Sequence, residues 1–259
     1  MTGTIHATAI VAPDAILGEG VEVGAYSVIG PDVRVGPRTR IGAHAIIHRH
    51  TTIGSDNIIH SYASVGDAPQ DKKYAGEPTR LELGDRNVVR EFVTLNRGTT
   101  KDRGVTTIGN DNLFMSYSHV AHDCLVGNQC VLANSATLGG HVVLGDWVIM
   151  GGFAAIHQFC KVGAHAFLAN NAAVTRDVPP YVMAVGGPAK PHSINSEGLK
   201  RRGFSPQQIR NLRNAYRVLY RSGLRLEEAV EQLSAAAKEQ PEVQLLVDFI
   251  PQSTRSLVR

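Results

Sequence analysis

Residues 17–42 read LGEGVEVGAYSVIGPDVRVGPRTRIG, and in them an aliphatic residue followed by glycine returns every six positions: Leu17-Gly18, Val23-Gly24, Ile29-Gly30, Val35-Gly36, Ile41-Gly42. Counting outward, the same slot holds Val11 on one side and Ile47, Ile53, Ile59 and Val65 on the other. The period breaks at GDAPQDKKYAGEPTR, resumes at Leu83, Val89 and Leu95, breaks again across RGTTKDRGVTT, and then runs from Ile108 to Val174. An α-helix cannot keep such a pattern on one face, because six residues advance about 600° and successive positions point about 120° apart. Short β segments joined by corners can. Three hexads make a triangular coil, every sixth side chain points inward, and coils stack about 4.8 Å apart. An irregular β-sandwich would not keep this period over more than 150 residues. The expected fold is therefore mainly β, a parallel β-helix of hexapeptide repeats over residues 1–191 with loop excursions near 66–82 and 97–107. Its stacked coils bury one continuous aliphatic core that no single coil could bury alone.

The prolines and glycines of DVPPYVMAVGGPAKP close the repeat, and from about residue 192 the pattern turns helical. Ser205 and Pro206 form a helix start, Ile209, Leu212, Tyr216, Leu219 and Tyr220 share one stripe, and Gly223 is a stop. LEEAVEQLSAAAKEQ and PEVQLLVDFI predict two further short helices, so residues 192–259 read as a small α-helical C-terminal domain. Net charge is +3 over 259 residues, too mild a bias for a nucleic-acid binder. The charge is uneven, since residues 192–259 hold eleven Lys or Arg against seven Asp or Glu, which suits an acidic partner. The first residues lack the basic start and apolar run of a signal peptide, and no 18-residue apolar window exists for membrane insertion, so a cytoplasmic protein is expected. Three cysteines without a C-x-x-C pair fit a reducing compartment. Cys124, Cys130 and Cys160 each stand four places after a repeating aliphatic residue, where Ala, Ser, Thr and Val recur, and read as core fillers.

Every third hexad lies on one wall, so Val11, Ile29, Ile47, Val65, Leu95, Val120, Leu138, Ile156 and Val174 share a wall, and both excursions leave from it. Polar residues gather there: Asn96 after Leu95, His119, His122 and Asp123 around Val120, Gly140 and His141 after Leu138, His157 and Gln158 after Ile156. Four of the eleven histidines thus fall on three successive coils, within one substrate's reach. His44, His60 and His165 lie outside this cluster and read as solvated or neighbour-bonded corners. Long insertions in a metronomic repeat commonly carry function.

QDKKYAGEPTR (70–80), HVAHDCLVGNQC (119–130), GGHV (139–142), HQFC (157–160), DVPPY (177–181) and EGLKRRGFS (197–205) together resemble the UDP-N-acetylglucosamine O-acyltransferases, hexapeptide-repeat enzymes at the first step of lipid A synthesis in lipopolysaccharide formation. The resemblance spans almost the whole chain, loops and helical tail included. It implies a left-handed coil, which the period alone does not decide. It also implies a homotrimer with active sites between subunits, and transfer of an (R)-3-hydroxyacyl chain from acyl carrier protein to the 3-hydroxyl of UDP-N-acetylglucosamine, with no metal or other cofactor. By the same resemblance His122 is the general base, Asp123 orients its imidazole, and the Gly140 backbone N–H meets the oxyanion, roles that the chemistry of a poorly nucleophilic sugar hydroxyl requires. His119, His141, His157 and Gln158 are implied contacts to acceptor or acyl chain. Asp71 with Lys73 is implied to meet sugar hydroxyls, and Asn195, Glu197, Arg201 and Arg202 to meet the nucleotide, where guanidinium groups suit a diphosphate. Arg213 and Arg217 are candidates for docking the acidic carrier protein.

Two positions depart from the family pattern. Asn96 stands where familiar relatives carry histidine, which leaves open a 3-amino sugar as acceptor. Asn170 occupies the implied acyl-length ruler, where its bulk relative to glycine argues for a shorter chain. Three rivals share some features. In γ-class carbonic anhydrases zinc is held by histidines, which His119, His122 and His141 superficially imitate, but the EGLKRRGF and QDKKYAGEPTR strings then lack a purpose. The N-acyltransferase of the same pathway carries an N-terminal uridine-binding domain before its hexads, whereas hexads begin here by residue 11. A catalytically silent scaffold would bind the sugar nucleotide without turnover.

Overall fold

The computed structural model describes residues 3–259. The hexads form three parallel sheets, one per wall of a triangular prism. The first wall has nine strands, from Ile10–Val11 through Ser64–Asp67, Thr94–Asn96, His119–Val120, Thr137–Leu138 and Ala155–Ile156 to Ala173–Val174. Its register pairs Val65 with Leu95, Leu95 with Val120, Val120 with Leu138 and Leu138 with Ile156, the alignment expected from the six-residue count. The second wall holds eight strands, and the third ten, eight from hexads followed by Val182–Val185, which is parallel to them, and Lys190–Ile194, which is antiparallel.

Strands of two residues form because each hexad offers only one inward aliphatic before the chain must turn. From Val23 onward that inward residue is buried, as with Ile47, Leu95, Val120 and Leu138 at 0 % exposure, while Val11 and Leu17 at the open end are partly buried. Each such side chain contributes about 1.5–3 kcal/mol of burial. The slot four places on is small and equally buried, filled by Val33, Ala45, Cys124 and Ala136. The three cysteines are free and buried; burial pushes the Cys124 and Cys130 thiols up to about 12 and that of Cys160 up to about 11, so they stay protonated fillers. Between them lies the corner, whose third residue sits in the left-handed region: Tyr26 at φ 58, His44 at 59, Asp123 at 60, His141 at 61. Glycine after the aliphatic has a different cause, close approach. A Cβ on Gly36 would lie 2.5 Å from the Gly54 carbonyl carbon of the next coil.

Corner residues from successive coils fall into columns. One corner stacks Tyr26, His44, Tyr62, Phe92 and Tyr117, with neighbouring ring centroids 4.9–5.2 Å apart. A buried asparagine ladder, Asn57, Asn87 and Asn112, passes amide hydrogen bonds from coil to coil and satisfies its own polar atoms. His44 and His60 bond to neighbouring coils, His44 stacked between Tyr26 and Tyr62 and His60 3.5 Å from Glu91.

Three boundaries differ from the sequence reading. The excursions are shorter than 66–82 and 97–107, because Arg80–Leu83 and Val105–Ile108 are already strands paired with each other. The expected domain boundary at 191/192 falls inside a strand, Lys190–Ile194, which pairs antiparallel with Val182–Val185. Helix therefore begins at Ser196: α1 (Ser196–Arg201), α2 (Pro206–Arg221), α3 (Leu226–Ala237) and α4 (Gln244–Phe249). α2 starts as expected, with Ser205 accepting from the Gln208 N–H and the Gln208 side chain answering to the Ser205 N–H. The last residues are extended and return to the prism, where Leu257 bridges Asp177 and the Val258 N–H donates to the Asp177 carbonyl. No helix among the described residues is long and apolar enough to cross a membrane.

Candidate active site

His122 and Asp123 occupy the corner after Val120, and Gly140 and His141 the corresponding corner one coil on. Both Asp123 and His141 take the left-handed slot, which Asp and His tolerate better than most side chains. His122 Nδ1 lies 2.8 Å from Asp123 Oδ2. A carboxylate only accepts, so Nδ1 donates and Nε2 keeps a free lone pair. Asp123 has no exposed side-chain surface. Burial alone would raise its pKa, but hydrogen bonds from His122, the Thr99 hydroxyl and the Thr99 N–H outweigh it and hold the carboxyl below the usual range. The result is a fixed anion behind an imidazole whose side chain is 16 % exposed.

Gly140 fits this arrangement for a spatial reason. A Cβ there would stand 2.6 Å from His122 Cε1 and 2.8 Å from Nε2, so only glycine leaves room for the ring. The Gly140 carbonyl accepts from Phe159, while its N–H has no acceptor among the described residues. His141 stands edge-on to His122, with centroids 5.1 Å apart at 89°, and stacks on Phe159 at 4.3 Å.

The two excursions close over this corner. The second supplies Thr99 to Asp123, Lys101 to Asp71 Oδ2 at 2.9 Å, and Asp102 to His141 Nδ1 at 2.8 Å. Asp71, in the first excursion, also accepts the Lys73 N–H. That bond first, then Lys101, holds its carboxyl below the usual range. Lys73 contributes this N–H, while its side chain is exposed. Arg97 is buried and ties the excursion down, donating to the Gly66 carbonyl and the Tyr74 hydroxyl. Asn96 is 3 % exposed and gives its Nδ2 to the Ala68 carbonyl, leaving Oδ1 buried without a donor.

His119 lies on the same wall, its Nδ1 2.7 Å from Thr94 Oγ1, and burial first, then neighbouring His122, lowers its pKa. His157 and Gln158 are exposed one coil beyond Gly140 and meet Arg255, which donates to His157 Nδ1 and the Gln158 carbonyl at 3.2 Å each.

The remaining expected residues lie at other corners of the same chain. Asn195 caps α1, accepting from the Gly198 N–H and donating to the His165 carbonyl, so both ends of its amide already have partners. Glu197 and Arg201 form an exposed pair at 3.1 Å. Arg202 covers the Trp147 ring at 5.0 Å and donates to His165 Nδ1. Burial first, then Arg202, brings the His165 pKa down to about 4. Asn170 is exposed at the third corner, its Oδ1 accepting the Gly152 N–H.

The atoms best placed for a cation, among the described residues, belong to His122, Asp123 and His141, which lie within 4.8 Å of one another. That differs from the three-histidine set suggested by spacing, because His119 turns to Thr94. The bonds to Asp102, Thr99 and each other already engage these groups. Thr99, Lys101, Asp102, Phe159 and Arg255 were not identified in the sequence. The break in the six-residue period pointed at the loop that holds Thr99, Lys101 and Asp102, but an irregular loop has no period from which side-chain direction can be read.

Comparison with known proteins supplies the wider context. The second-domain model of UDP-N-acetylglucosamine O-acyltransferase matches residues 177–258, and the bacterial transferase hexapeptide model matches 14–49 and 106–140. An acyl-[acyl-carrier-protein]--UDP-N-acetylglucosamine O-acyltransferase of Thiobacillus denitrificans is 55% identical over 256 residues, 99% of each chain. One of Herminiimonas arsenicoxydans is 55% identical over 259 residues, 98% of this chain and 99% of its own. The solved UDP-N-acetylglucosamine acyltransferase of Francisella novicida superposes with a TM-score of 0.97 at 41% identity, covering 99% of this chain and 94% of that one. The UDP-N-acetylglucosamine O-acyltransferase of Moraxella catarrhalis superposes at 0.96 with 44% identity, covering 98% and 99%.

Proposed function

Because the chain belongs to the UDP-N-acetylglucosamine O-acyltransferase family, we propose that it moves an (R)-3-hydroxyacyl chain from acyl carrier protein to the 3-hydroxyl of UDP-N-acetylglucosamine, the first step of lipid A biosynthesis. Family membership also carries the sense of the coil, a left-handed parallel β-helix. The observation that carries the chemistry is the 2.8 Å bond between His122 and a fully buried Asp123. His122 Nε2 takes the proton of the sugar hydroxyl as its oxygen attacks the thioester carbonyl, and Asp123 stabilises the imidazolium. The tetrahedral oxyanion faces the unpaired N–H of Gly140. Collapse breaks the C–S bond, and the departing thiolate takes the proton from His122.

Asp71, held by Lys101 and the Lys73 N–H, is a rigid acceptor for sugar hydroxyls. The homotrimer belongs to this proposal. His122, Asp123 and Gly140 stand at one corner of the prism and Arg202 at the Trp147 corner, so a pocket using both needs a second copy of the chain. Arg202 has no carboxylate partner among the described residues and suits the nucleotide's diphosphate. Residence in the cytoplasm follows from the carrier-protein donor. The 3-amino sugar is a second reading, raised by Asn96 standing where familiar relatives carry histidine; its buried, unpartnered Oδ1 can accept a hydrogen from a hydroxyl or an amine alike.

Labelled UDP-N-acetylglucosamine and its 3-amino analogue, incubated with a panel of 3-hydroxyacyl carrier proteins, decide between them. The expected product is the 3-O-acylated sugar nucleotide. Transfer to the amine alone would select the second reading, and transfer to neither would reject both.

A further inference from the structure

The C-terminal segment does more than close the helical tail. Asp177 is fully buried, and its Oδ2 accepts from the Ser253 hydroxyl and the Thr254 and Arg255 N–H groups, while its Oδ1 accepts the Lys161 N–H. This anchor throws the Arg255 side chain across the wall toward the site. The guanidinium lies over Phe159 at 5.8 Å, and Phe159 stacks on His141, so Arg255 continues the ring column that flanks the base. Only its Nη2 is engaged, with His157 Nδ1 and the Gln158 carbonyl. Nε and Nη1 have no partner among the described residues, and no carboxylate pairs with the group. Beside it the same segment lines a cleft of about 440 Å³ with Arg176, Arg259, Ser253, Thr254 and Ser256, and no acidic residue lines that cleft.

We propose that Arg255 recognises the phosphate of the acyl donor, pairing with the phosphodiester that ties the thioester arm to acyl carrier protein. This rests on the acyl-transfer reading and deepens it. Gln158 stands two coils, about 9.6 Å, along the axis from His122. An arm laid over Gln158 with its thioester at Gly140 carries its phosphate outward, toward Arg255 and the basic cleft. The acceptor also bears phosphates, but Arg202 at another corner is the cation suited to them. Its Nε–H and Nη1 hydrogens remain to donate singly to phosphate oxygens, beside a positive charge that no carboxylate neutralises.

The test compares kcat/KM for acyl-phosphopantetheine and acyl-pantetheine, which differ only by the phosphate, with UDP-N-acetylglucosamine saturating. Wild type should favour the phosphorylated donor by about tenfold or more, the value of one good charge-assisted contact. Arg255→Ala should bring that ratio close to one, and Arg255→Lys should keep part of it. A ratio unchanged in Arg255→Ala would overturn the proposal, as would a specific rise in KM for the sugar nucleotide, which would assign Arg255 to the acceptor. If wild type transferred nothing from the intact acyl carrier protein donor either, the acyl-transfer reading would fail by itself. Calorimetric binding of phosphopantetheine against pantetheine to both proteins would still decide the role of Arg255.

Discussion

Gly140→Ala isolates what glycine does beside His122, the proposed base. The added methyl would sit 2.6 Å from His122 Cε1, where ordinary contact begins at 3.4 Å, so the imidazole must retreat by about 0.8 Å. The ring is packed edge-on against His141 and bonded to Asp123 at 2.8 Å, and a shift of that size lengthens or breaks the bond. Misplacing a reacting group by about 1 Å can cost on the order of 10²-fold, equivalent to about 2.7 kcal/mol of barrier. The backbone N–H survives the substitution, so oxyanion binding is not what is lost. Gly152→Ala is the matched folding control: it occupies the same hexad slot, and its methyl meets nothing closer than the Asn134 carbonyl oxygen at 3.5 Å. Initial rates of acyl transfer, with thermal melting of both variants, give the answer. The expected result is a fall of about 10²-fold in kcat for Gly140→Ala with melting close to that of Gly152→Ala. Activity within threefold of wild type would refute the claim that this glycine exists to seat His122.

Thr99→Val removes one hydroxyl donor from a fully buried carboxylate and should lower stability by about 1–3 kcal/mol, read by urea denaturation, with a drop in kcat as His122 loses its fixed partner. His165→Phe should flatten the acid side of the stability profile. The folded pKa is lowered to about 4 from 6.5, so only the unfolded chain takes a proton between those values; wild-type stability is full above 6.5 and drains as pH falls toward 4. Melting of the two proteins between those limits checks the difference, and parallel curves would sink it. Asn170→Gly should shift donor preference toward longer acyl chains in competition assays, since the Asn170 side chain lies over Gly152 and reduces the space at that corner.

Much of this architecture was legible because a hexad is a physical unit. Val120, Leu138 and Ile156 point inward for one reason, and once they are aligned, His122, Gly140 and Gln158 must fall into a column. The same logic exposed Cys124 as a filler and placed both excursions on the histidine wall. What stayed hidden lacks a period. Lys190–Ile194 pairs antiparallel only because Val182–Val185 happens to lie beside it, and KPHSI carries no strand signature strong enough to announce that. Thr99, Lys101 and Asp102 act through loop closure, and Arg255 through an anchor 78 residues away in sequence. Asn195 matched a family position by its letter, yet its amide is engaged in capping α1 and holding the His165 carbonyl. The free edge of Arg202 at that corner remains the better candidate for the nucleotide.

The central claim is that a buried carboxylate holds His122 as the base for acylating a sugar hydroxyl. Transfer of a 3-hydroxyacyl group from carrier protein to labelled UDP-N-acetylglucosamine, measured for wild type and His122→Ala at equal oligomeric state and melting temperature, tests it most directly. Wild type should yield the acylated sugar nucleotide and His122→Ala almost none. Near-normal product from the alanine variant would contradict the account.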